Sequence, residues 1–217
     1  RRLSIIDLSS NADQPMTKDG LTLVYNGELY NYRELRHELA SHGARFITSS
    51  DTEVVLEAWR RWGPDCLKRL RGMFSIAVWD KQERALFIAR DPLGVKPLYY
   101  FQDDDRFIFA SEIRAILASG TIKREADLQA LSEYFRYQSV GFPFSPVKGI
   151  RQMEAGTWIK IKDGELVTRR YWDPVAANYD FAFTDKKQVR EKIQELMLQS
   201  VKRRLVSDVP VGAFLSG

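Results

Sequence analysis

The hydrophobic pattern is clearest over residues 21–25, where Leu, Leu and Tyr alternate with Thr and Val. This period of two predicts a strand with one buried face. Asn26 and Gly27 follow at once, and that dipeptide indicates a tight turn. Taken by itself, the dipeptide favours an ordinary hairpin.

A helix is predicted directly after this turn, over residues 32–41, because Asn31 and Glu34 fit a capping box. A turn between a strand and a helix would present the side-chain amide of Asn26 and the backbone N–H of Gly27 at one place. Two such donors are what a developing oxyanion needs. The pattern therefore leaves two interpretations open, a plain hairpin and an oxyanion hole.

A second helix is predicted to begin after Ser50, where Ser50 and Glu53 fit another capping box. Asp51 then lies in the first helical turn. A cap or a partner of the helix dipole is the simplest role for this carboxylate.

Short strands separated by turns dominate the rest of the chain up to residue 171. The predicted strands cover residues 45–48, 73–79, 85–90, 98–101, 106–110, 157–162 and 165–171. Asp163-Gly164 indicates a hairpin between the last two strands. Residues 9–20 and 141–147 are predicted to be loops.

Two further helices are predicted, one capped by Asp127 and one over residues 185–205. Their predicted buried faces are Leu128, Leu131, Tyr134 and Phe135 in the first, and Ile193, Leu196, Met197 and Val201 in the second. A polar linker at residues 173–183 predicts a division into two domains, 1–180 and 181–217. The second domain ends in a predicted buried strand that begins at residue 209.

The composition is that of an ordinary globular protein, since 44% of the 217 residues are hydrophobic and 29% are charged. No apolar run approaches the roughly 20 residues of a membrane helix, so no membrane partner is expected. The net charge of +4 is mild, and no nucleic-acid partner is expected. The single cysteine, Cys66, excludes an internal disulfide and suits a cytoplasmic protein.

Three other polar groups have simpler explanations than a functional site. His37 and His42 have no third ligand nearby in the sequence, so no metal site is expected there. The three aspartates at 103–105 fit a charged hairpin tip without the glycine of a calcium loop. The turn over residues 91–97 lacks the glycine spacing of a phosphate loop and is interpreted as structural.

Six short motifs occur in order along the chain. They are Arg-Leu-Ser-Ile-Ile-Asp (2–7), Tyr-Asn-Gly-Glu-Leu-Tyr-Asn (25–31), Ser-Asp-Thr-Glu-Val (50–54), Gly-Met-Phe (72–74), Arg-Asp-Pro-Leu-Gly-Val-Lys-Pro-Leu-Tyr (90–99) and Ser-Asp-Val-Pro-Val-Gly-Ala-Phe-Leu-Ser-Gly (207–217). Together they resemble the asparagine synthetase family of class II glutamine amidotransferases. The resemblance covers the whole chain.

The resemblance implies an α+β fold of the N-terminal-nucleophile (αββα) type for residues 1–180, with two antiparallel sheets between helices. Residues 181–217 would begin an α/β synthetase domain of the ATP-pyrophosphatase type. It also implies that an N-terminal cysteine attacks the glutamine side-chain amide, with its own α-amine as the base. Ammonia then leaves, and water releases glutamate from the thioester.

The matching positions carry the substrate-binding roles that the resemblance implies. Asn26 and Gly27 would form the oxyanion hole, and Arg2 would hold the substrate α-carboxylate with its guanidinium fork. Asp51 and Glu28 would face the α-ammonium group. The same pocket would be lined by Leu3, Ile5 and Ile6.

The N-terminal cysteine of the family is absent from these residues, because the chain begins with Arg1 and Cys66 has no free α-amine. An internal fragment that does not hydrolyse glutamine by itself is therefore expected. In the complete enzyme the resemblance implies ATP and Mg²⁺ as cofactors, but none is expected in this fragment. Of the nucleotide site, the matching residues are Leu215, Ser216 and Gly217.

The implied partners are small molecules, namely glutamine, aspartate and ATP. Two alternatives remain open. One is a related amidotransferase that amidates a different acceptor, and the other is a catalytically inactive glutamine-binding module. A homodimer also stays open.

Overall fold

The computed structural model describes residues 6–176 and 185–212. Within these ranges the chain folds as two units. The sheet unit contains residues 17–28 and 73–172, and the helical unit contains the described parts of residues 1–16, 29–72 and 173–217. Each unit is described separately below.

Two antiparallel sheets dominate the sheet unit. The strands are β1 Met16–Lys18, β2 Leu21–Leu29, β3 Gly72–Asp80, β4 Ala85–Arg90, β5 Tyr99–Gln102, β6 Phe107–Ala110, β7 Ile150–Gln152, β8 Thr157–Lys162 and β9 Glu165–Arg170. The larger sheet has the order β1-β2-β3-β4-β8-β9, and the smaller has the order β6-β5-β7. The pairs β3–β4, β4–β8, β8–β9, β5–β6 and β5–β7 are antiparallel. Two helices complete the unit, α3 Ile113–Leu117 and α4 Leu128–Tyr137.

The core of the sheet unit contains side chains from both sheets. The buried residues of this cluster are Ala77, Ile88, Leu98, Met153 and Ile159. Alternate side chains of the smaller sheet divide between two clusters, as a period of two requires. Tyr100 and Phe107 pack against the first cluster, whereas Tyr99 and Ile108 pack against a second cluster around Ile116 of α3.

The helical unit contains α1 Tyr32–Ser41, α2 Asp51–Trp62 and α5 Lys186–Arg204, with 3₁₀ turns at Ser10–Ala12 and Gly63–Lys68. One face of α1 is buried, whereas α2 is buried on all sides over residues 51–59. Leu35 and Leu39 of α1 are 4% and 1% exposed, and Val55 and Ala58 of α2 are fully buried.

Most of these elements were predicted from the sequence pattern. The bounds of α1, β4 and β8 are those predicted, and α5, β3, β5, β6 and β9 agree to within one residue at each end. Asp163 and Gly164 have φ values of 49° and 83°. This left-handed pair is what a two-residue hairpin turn requires, so the predicted β8–β9 hairpin is confirmed.

Two local predictions are wrong. Residues 45–48 form no strand, because the backbone N–H groups of Ile47 and Thr48 donate to the Glu53 carboxylate at 3.0 and 2.7 Å instead of to a neighbouring strand. The predicted loop over residues 9–20 contains β1, which pairs with β2.

The predicted apolar faces of α4 and α5 are not buried. Leu128, Tyr134 and Phe135 of α4 are 78%, 50% and 83% exposed. The predicted face of α5 is also exposed within the described part of the chain, at Ile193, Leu196, Met197 and Val201. Amphipathic periodicity predicted these helices correctly, but it carries no information about what covers the apolar face.

The buried strand predicted from residue 209 is not present as far as the structure describes it. Residues 209–212 have no strand, and Val211 is 48% exposed. The predicted linker lies partly outside the described residues, at 177–184. Among residues 6–176 and 185–212, none of the helices combines the length and apolar character that a membrane crossing requires.

Candidate active site

Asn26 and Gly27 lie inside β2 and not in a turn. β2 extends from Leu21 to Leu29 and lies between β1 and β3. Neither residue has a positive φ. The predicted turn is therefore wrong, and so is the plain hairpin alternative. The close packing of β3 against this part of β2 outweighs the local turn preference of the dipeptide.

Gly27 is required because β3 approaches its Cα too closely for any side chain. A Cβ built on Gly27 would lie 2.2 Å from the carbonyl oxygen of Met73 and 2.8 Å from the Cα of Phe74. Both are backbone atoms, so no change of rotamer could make room. The glycine marks a close backbone approach, which is a recognised use of glycine within a strand.

The Asn26 side chain is exposed and is held by a residue far away in the sequence. Its Nδ2 donates to the hydroxyl oxygen of Ser111 at 3.0 Å. Ser111 follows β6 and precedes α3. No local sequence pattern indicated Ser111, because its contact with Asn26 spans 85 residues.

Asp91 fixes the loop after β4 and one residue of β3. This carboxylate is 1% exposed and accepts four backbone N–H groups. The donors are Phe74 at 3.2 Å, Leu93 at 3.1 Å, Val95 at 2.9 Å and Lys96 at 2.9 Å. These bonds show that the turn over residues 91–97 is structural, as its sequence indicated.

Arg90 supports the same loop with its guanidinium group. It donates to the carbonyl oxygens of Lys96 at 2.8 Å, Gly94 at 2.7 Å and Met153 at 2.6 Å. Burial lowers the pKa of Arg90, but a guanidinium remains charged in proteins. Arg90 and Asp91 together satisfy both the carbonyl and the N–H groups of the loop.

Asp51 is the first residue of α2 and is 5% exposed. Its Oδ2 accepts the backbone N–H of Leu29, the last residue of β2, at 3.1 Å. The helix is capped by Ser50, whose Oγ accepts the Glu53 N–H at 3.2 Å. Asp51 is therefore not the cap, but it lies where a carboxylate complements the helix dipole.

The predicted capping role of Asn31 is wrong. Asn31 precedes α1 but makes no side-chain capping bond. Its amide instead donates to the carbonyl of Arg69 at 3.1 Å and accepts the N–H of Arg71 at 2.9 Å. This side chain thus connects the start of α1 to the segment that precedes β3.

Asp7 directly follows the predicted pocket residue Ile6, which is 5% exposed. Its carboxylate accepts the hydroxyl and backbone N–H of Ser9 and those of Ser49, with the Ser49 N–H at 2.8 Å. These bonds, the Ser9 hydroxyl foremost, lower the pKa of Asp7 to about 2. Asp7 itself has a φ of 53° and donates its N–H to Asp208 at 2.9 Å. No sequence pattern indicated these contacts of Asp7.

The predicted site residues are distributed over both units and the undescribed ends. Asn26, Gly27 and Glu28 are consecutive residues of β2 in the sheet unit, while Ile6 and Asp51 are buried in the helical unit. Six predicted residues lie outside the described part of the chain, namely Arg2, Leu3, Ile5, Leu215, Ser216 and Gly217.

Cys66 has the environment of a structural thiol. It is fully buried, and desolvation raises the pKa of its thiol. A cysteine nucleophile needs the opposite, a lowered pKa and access to solvent. Over residues 6–176 and 185–212, no group of three or more His, Cys, Asp and Glu side chains could hold a metal ion.

Two family descriptions match the chain. "Glutamine amidotransferase domain" matches residues 1–172, and "Asparagine synthase" matches residues 192–217.

Similar curated proteins include the glutamine-hydrolysing asparagine synthetase 3 of Bacillus subtilis (strain 168), which is 42% identical over 226 residues. The putative glutamine-hydrolysing asparagine synthetase 2 of Methanocaldococcus jannaschii is 36% identical over 234 residues. Both alignments cover 100% of this chain but only 36% and 45% of the relatives, so the chain spans less than half of their length.

A solved structure shares the fold. It is the glutamine phosphoribosylpyrophosphate amidotransferase from B. subtilis complexed with ADP and GMP, with a TM-score of 0.57 and 24% identity. The match covers 76% of this chain and 33% of that chain. The predicted α+β fold of the N-terminal-nucleophile amidotransferases is thereby confirmed. With a family match over residues 1–172 and similarity along its whole length to glutamine-hydrolysing asparagine synthetases, this chain belongs to the glutamine amidotransferase domain family.

Proposed function

We propose that this chain is the glutamine-hydrolysing part of an enzyme that transfers the amide nitrogen of glutamine to aspartate and forms asparagine. The observation that carries the proposal is the position of Asn26 and Gly27. The side-chain amide of Asn26 is exposed. At the next residue, Gly27, the close approach of β3 leaves no room for a side chain. Two adjacent donors of this kind suit an oxyanion hole.

The proposed chemistry begins with attack of a cysteine thiolate on the side-chain carbonyl carbon of glutamine. The carbonyl oxygen becomes an oxyanion that accepts hydrogen bonds from Asn26 Nδ2 and the Gly27 N–H. Ammonia leaves as the thioester forms, and water then releases glutamate. Cys66 is not this nucleophile, because it is buried and the pKa of its thiol is raised. The nucleophile therefore comes from outside these 217 residues, which do not hydrolyse glutamine alone.

In this proposal, charged side chains bind the α-carboxylate and the α-ammonium group of glutamine. The guanidinium of Arg2 binds the α-carboxylate, since its fork matches two oxygens. Asp51 and Glu28 face the α-ammonium group. The apolar lining consists of Leu3, Ile5 and Ile6. Asp51 is a suitable counter-charge because it is nearly buried, where an ion pair is weakly screened.

The acceptor reaction is proposed for the part of the protein that begins at residue 181. The family matches to residues 1–172 and 192–217 support a division at about residue 180. ATP would activate the aspartate β-carboxylate, with Mg²⁺ neutralising its phosphates. The proposed contacts to the pyrophosphate are Leu215, Ser216 and Gly217. We propose small molecules as the ligands and the cytoplasm as the compartment.

The test uses the full-length protein and glutamine labelled in its side-chain amide nitrogen. With aspartate, ATP and Mg²⁺, we expect equal amounts of glutamate and labelled asparagine. Ammonia in place of glutamine should support asparagine formation without glutamate release.

Three results would contradict parts of the proposal. Glutamate release with the label in a product other than asparagine identifies a different acceptor. Binding of glutamine without glutamate release identifies an inactive module. Glutamate release by the purified 217 residues, abolished by Cys66→Ser, would show that Cys66 is the nucleophile after all.

A further inference from the structure

We propose that Ser111 is a positioning residue for glutamine hydrolysis, and that it orients the Asn26 amide within the oxyanion hole. This inference rests on the proposed function. Ser111 does not touch the substrate in this role. It acts through the hydrogen bond from Asn26 Nδ2 to Ser111 Oγ, which is 3.0 Å long.

The Asn26 amide needs such an external partner. Its side chain is exposed, and the terminal torsion of asparagine is broad, so packing does not fix the orientation of the amide. An amide nitrogen carries two N–H donors. The Ser111 oxygen takes one of them, and the second remains for the substrate oxygen. A rotated amide would present Oδ1, an acceptor that repels an oxyanion.

Ser111 is held between two anchored elements. On one side, Ala110 is the last residue of β6 and is paired with Tyr99 of β5. On the other side, the carbonyl of Glu112 accepts the backbone N–H of Ala115 at 3.0 Å at the start of α3. Ile116 of α3 is fully buried in the second hydrophobic cluster. The hydroxyl therefore has a fixed place from which to orient Asn26.

The expected effect of losing Ser111 is smaller than that of losing Asn26. One neutral hydrogen bond between protein groups corresponds to a loss of about 3- to 10-fold in rate when it acts only in the transition state. The loss should appear in kcat for glutamine, because the amide meets the charged oxygen only as the charge develops. KM for glutamine should change little.

The experiment compares Ser111→Thr with Ser111→Val in the full-length protein. The two replacements have nearly the same shape, but only threonine keeps a hydroxyl. We expect Ser111→Val and Ser111→Ala to lower kcat for glutamine about 3- to 10-fold, and Ser111→Thr to restore most of it. Asparagine formation from ammonia and the melting temperature should stay unchanged in all three variants.

A matched control is Ser119→Ala. The Ser119 hydroxyl bonds to Thr121 Oγ1 at 2.9 Å, beyond the other end of α3. The same hydroxyl accepts the Thr121 backbone N–H at 3.3 Å. This variant therefore removes the hydrogen bonds of a serine hydroxyl that has no link to Asn26, and kcat for glutamine should not change. In an Asn26→Ala background, Ser111→Val should cause no further loss, because the positioned group is already gone.

Each outcome decides between the inference and the proposed function. If Asn26→Ala lowers kcat but Ser111→Ala does not, the inference is wrong and the proposed function stands. Equal losses in Ser111→Thr and Ser111→Val, or additive losses in the double variant, would also overturn the inference. A fall of both glutamine- and ammonia-dependent activity would mark Ser111 as a folding residue. A wild-type protein without glutamine hydrolysis would overturn both proposals.

Discussion

The carboxylate of Asp91 accepts the backbone N–H of Phe74 at 3.2 Å. The Cα of Phe74 lies 2.8 Å from the position that a Cβ on Gly27 would occupy. A buried acid in the loop after β4 thus holds the part of β3 that excludes a side chain at Gly27. The placement of the proposed oxyanion hole therefore depends on this carboxylate, which acts through the backbone of β3.

Asp91→Asn should destabilise the sheet unit strongly. The asparagine amide would bring an NH₂ group against backbone N–H donors, so two donors, one buried and one partly buried, would lose their acceptor. Each lost acceptor costs about 1–3 kcal/mol, and we expect the free energy of unfolding to fall by about 3 kcal/mol. Urea unfolding of the 217-residue chain measures this. Asp104→Asn, at an exposed position of the β5–β6 hairpin, is the control and should leave the urea midpoint unchanged. Equal midpoints for both variants would contradict the role given to Asp91.

Gly27→Ala should disturb β2 and β3 because the new methyl group meets backbone atoms of Met73 and Phe74. Overpacking of this kind typically costs about 1–3 kcal/mol, and the rigid neighbours here predict the upper part of that range. Glutamine hydrolysis by the full-length protein should be lost as well. The control is Gly141→Ala, where a Cβ meets only Glu133 Oε2 at 3.5 Å. A Gly27→Ala variant with the wild-type melting temperature would disprove the close approach of the strands.

Asn26→Ala removes the side-chain donor of the proposed oxyanion hole and leaves the Gly27 N–H in place. Losing one such donor costs about 10²–10³-fold in kcat, equal to about 2.7–4 kcal/mol. KM for glutamine and ammonia-dependent synthesis should change little. The melting temperature should also change little, because the Asn26 side chain is exposed and its backbone does not have a positive φ that alanine would strain. Asn26→Asp should be worse, since a carboxylate repels the oxyanion. Steady-state kinetics with glutamine and with ammonia separate these effects, and a normal kcat in Asn26→Ala would refute the oxyanion assignment.

Asp7 should make the stability of the chain depend on pH below about 4. Its pKa is lowered from 3.8 to about 2 in the folded state, with the Ser9 hydroxyl as the main cause. The folded state therefore favours the carboxylate. The contribution is present above pH 3.8 and is lost as the pH falls toward 2. The full shift would be worth about 2 kcal/mol, and solvent screening reduces this to about 1 kcal/mol because the group is partly exposed.

The measurement for Asp7 is urea unfolding of wild type and Asp7→Asn between pH 2 and pH 5. Wild type should be more stable at pH 5 by about 1 kcal/mol, and this difference should vanish near pH 2. Asp104→Asn serves again as the exposed control and should follow the wild-type curve. A constant difference between wild type and Asp7→Asn at every pH would show that the Asp7 charge does not stabilise the fold.

Local sequence information determined the elements whose formation depends on neighbours in the chain. The helix over Tyr32–Ser41 and the strands Ala85–Arg90 and Thr157–Lys162 were predicted with their bounds, because apolar patterning and flanking turn or cap residues mark each of them. The Asp163-Gly164 hairpin turn was also predicted, since both of its residues tolerate a positive φ. The ordered motifs identified the family and its fold, which the comparisons confirmed.

The tertiary structure decided the features that depend on residues far apart in the sequence. Asn26-Gly27 is a preferred turn dipeptide, yet it lies inside β2, against which β3 packs closely at Gly27. Asn31 is a preferred cap, yet its amide binds the backbone of Arg69 and Arg71. The contact of Ser111 with Asn26 spans 85 residues, and hydrophobic periodicity does not encode which polar side chains meet across such a distance. Propensity is worth only tenths of a kcal/mol to about 1 kcal/mol per residue, whereas buried backbone groups without partners cost about 1–3 kcal/mol each, so hydrogen bonding between distant segments determined the conformation of this candidate site.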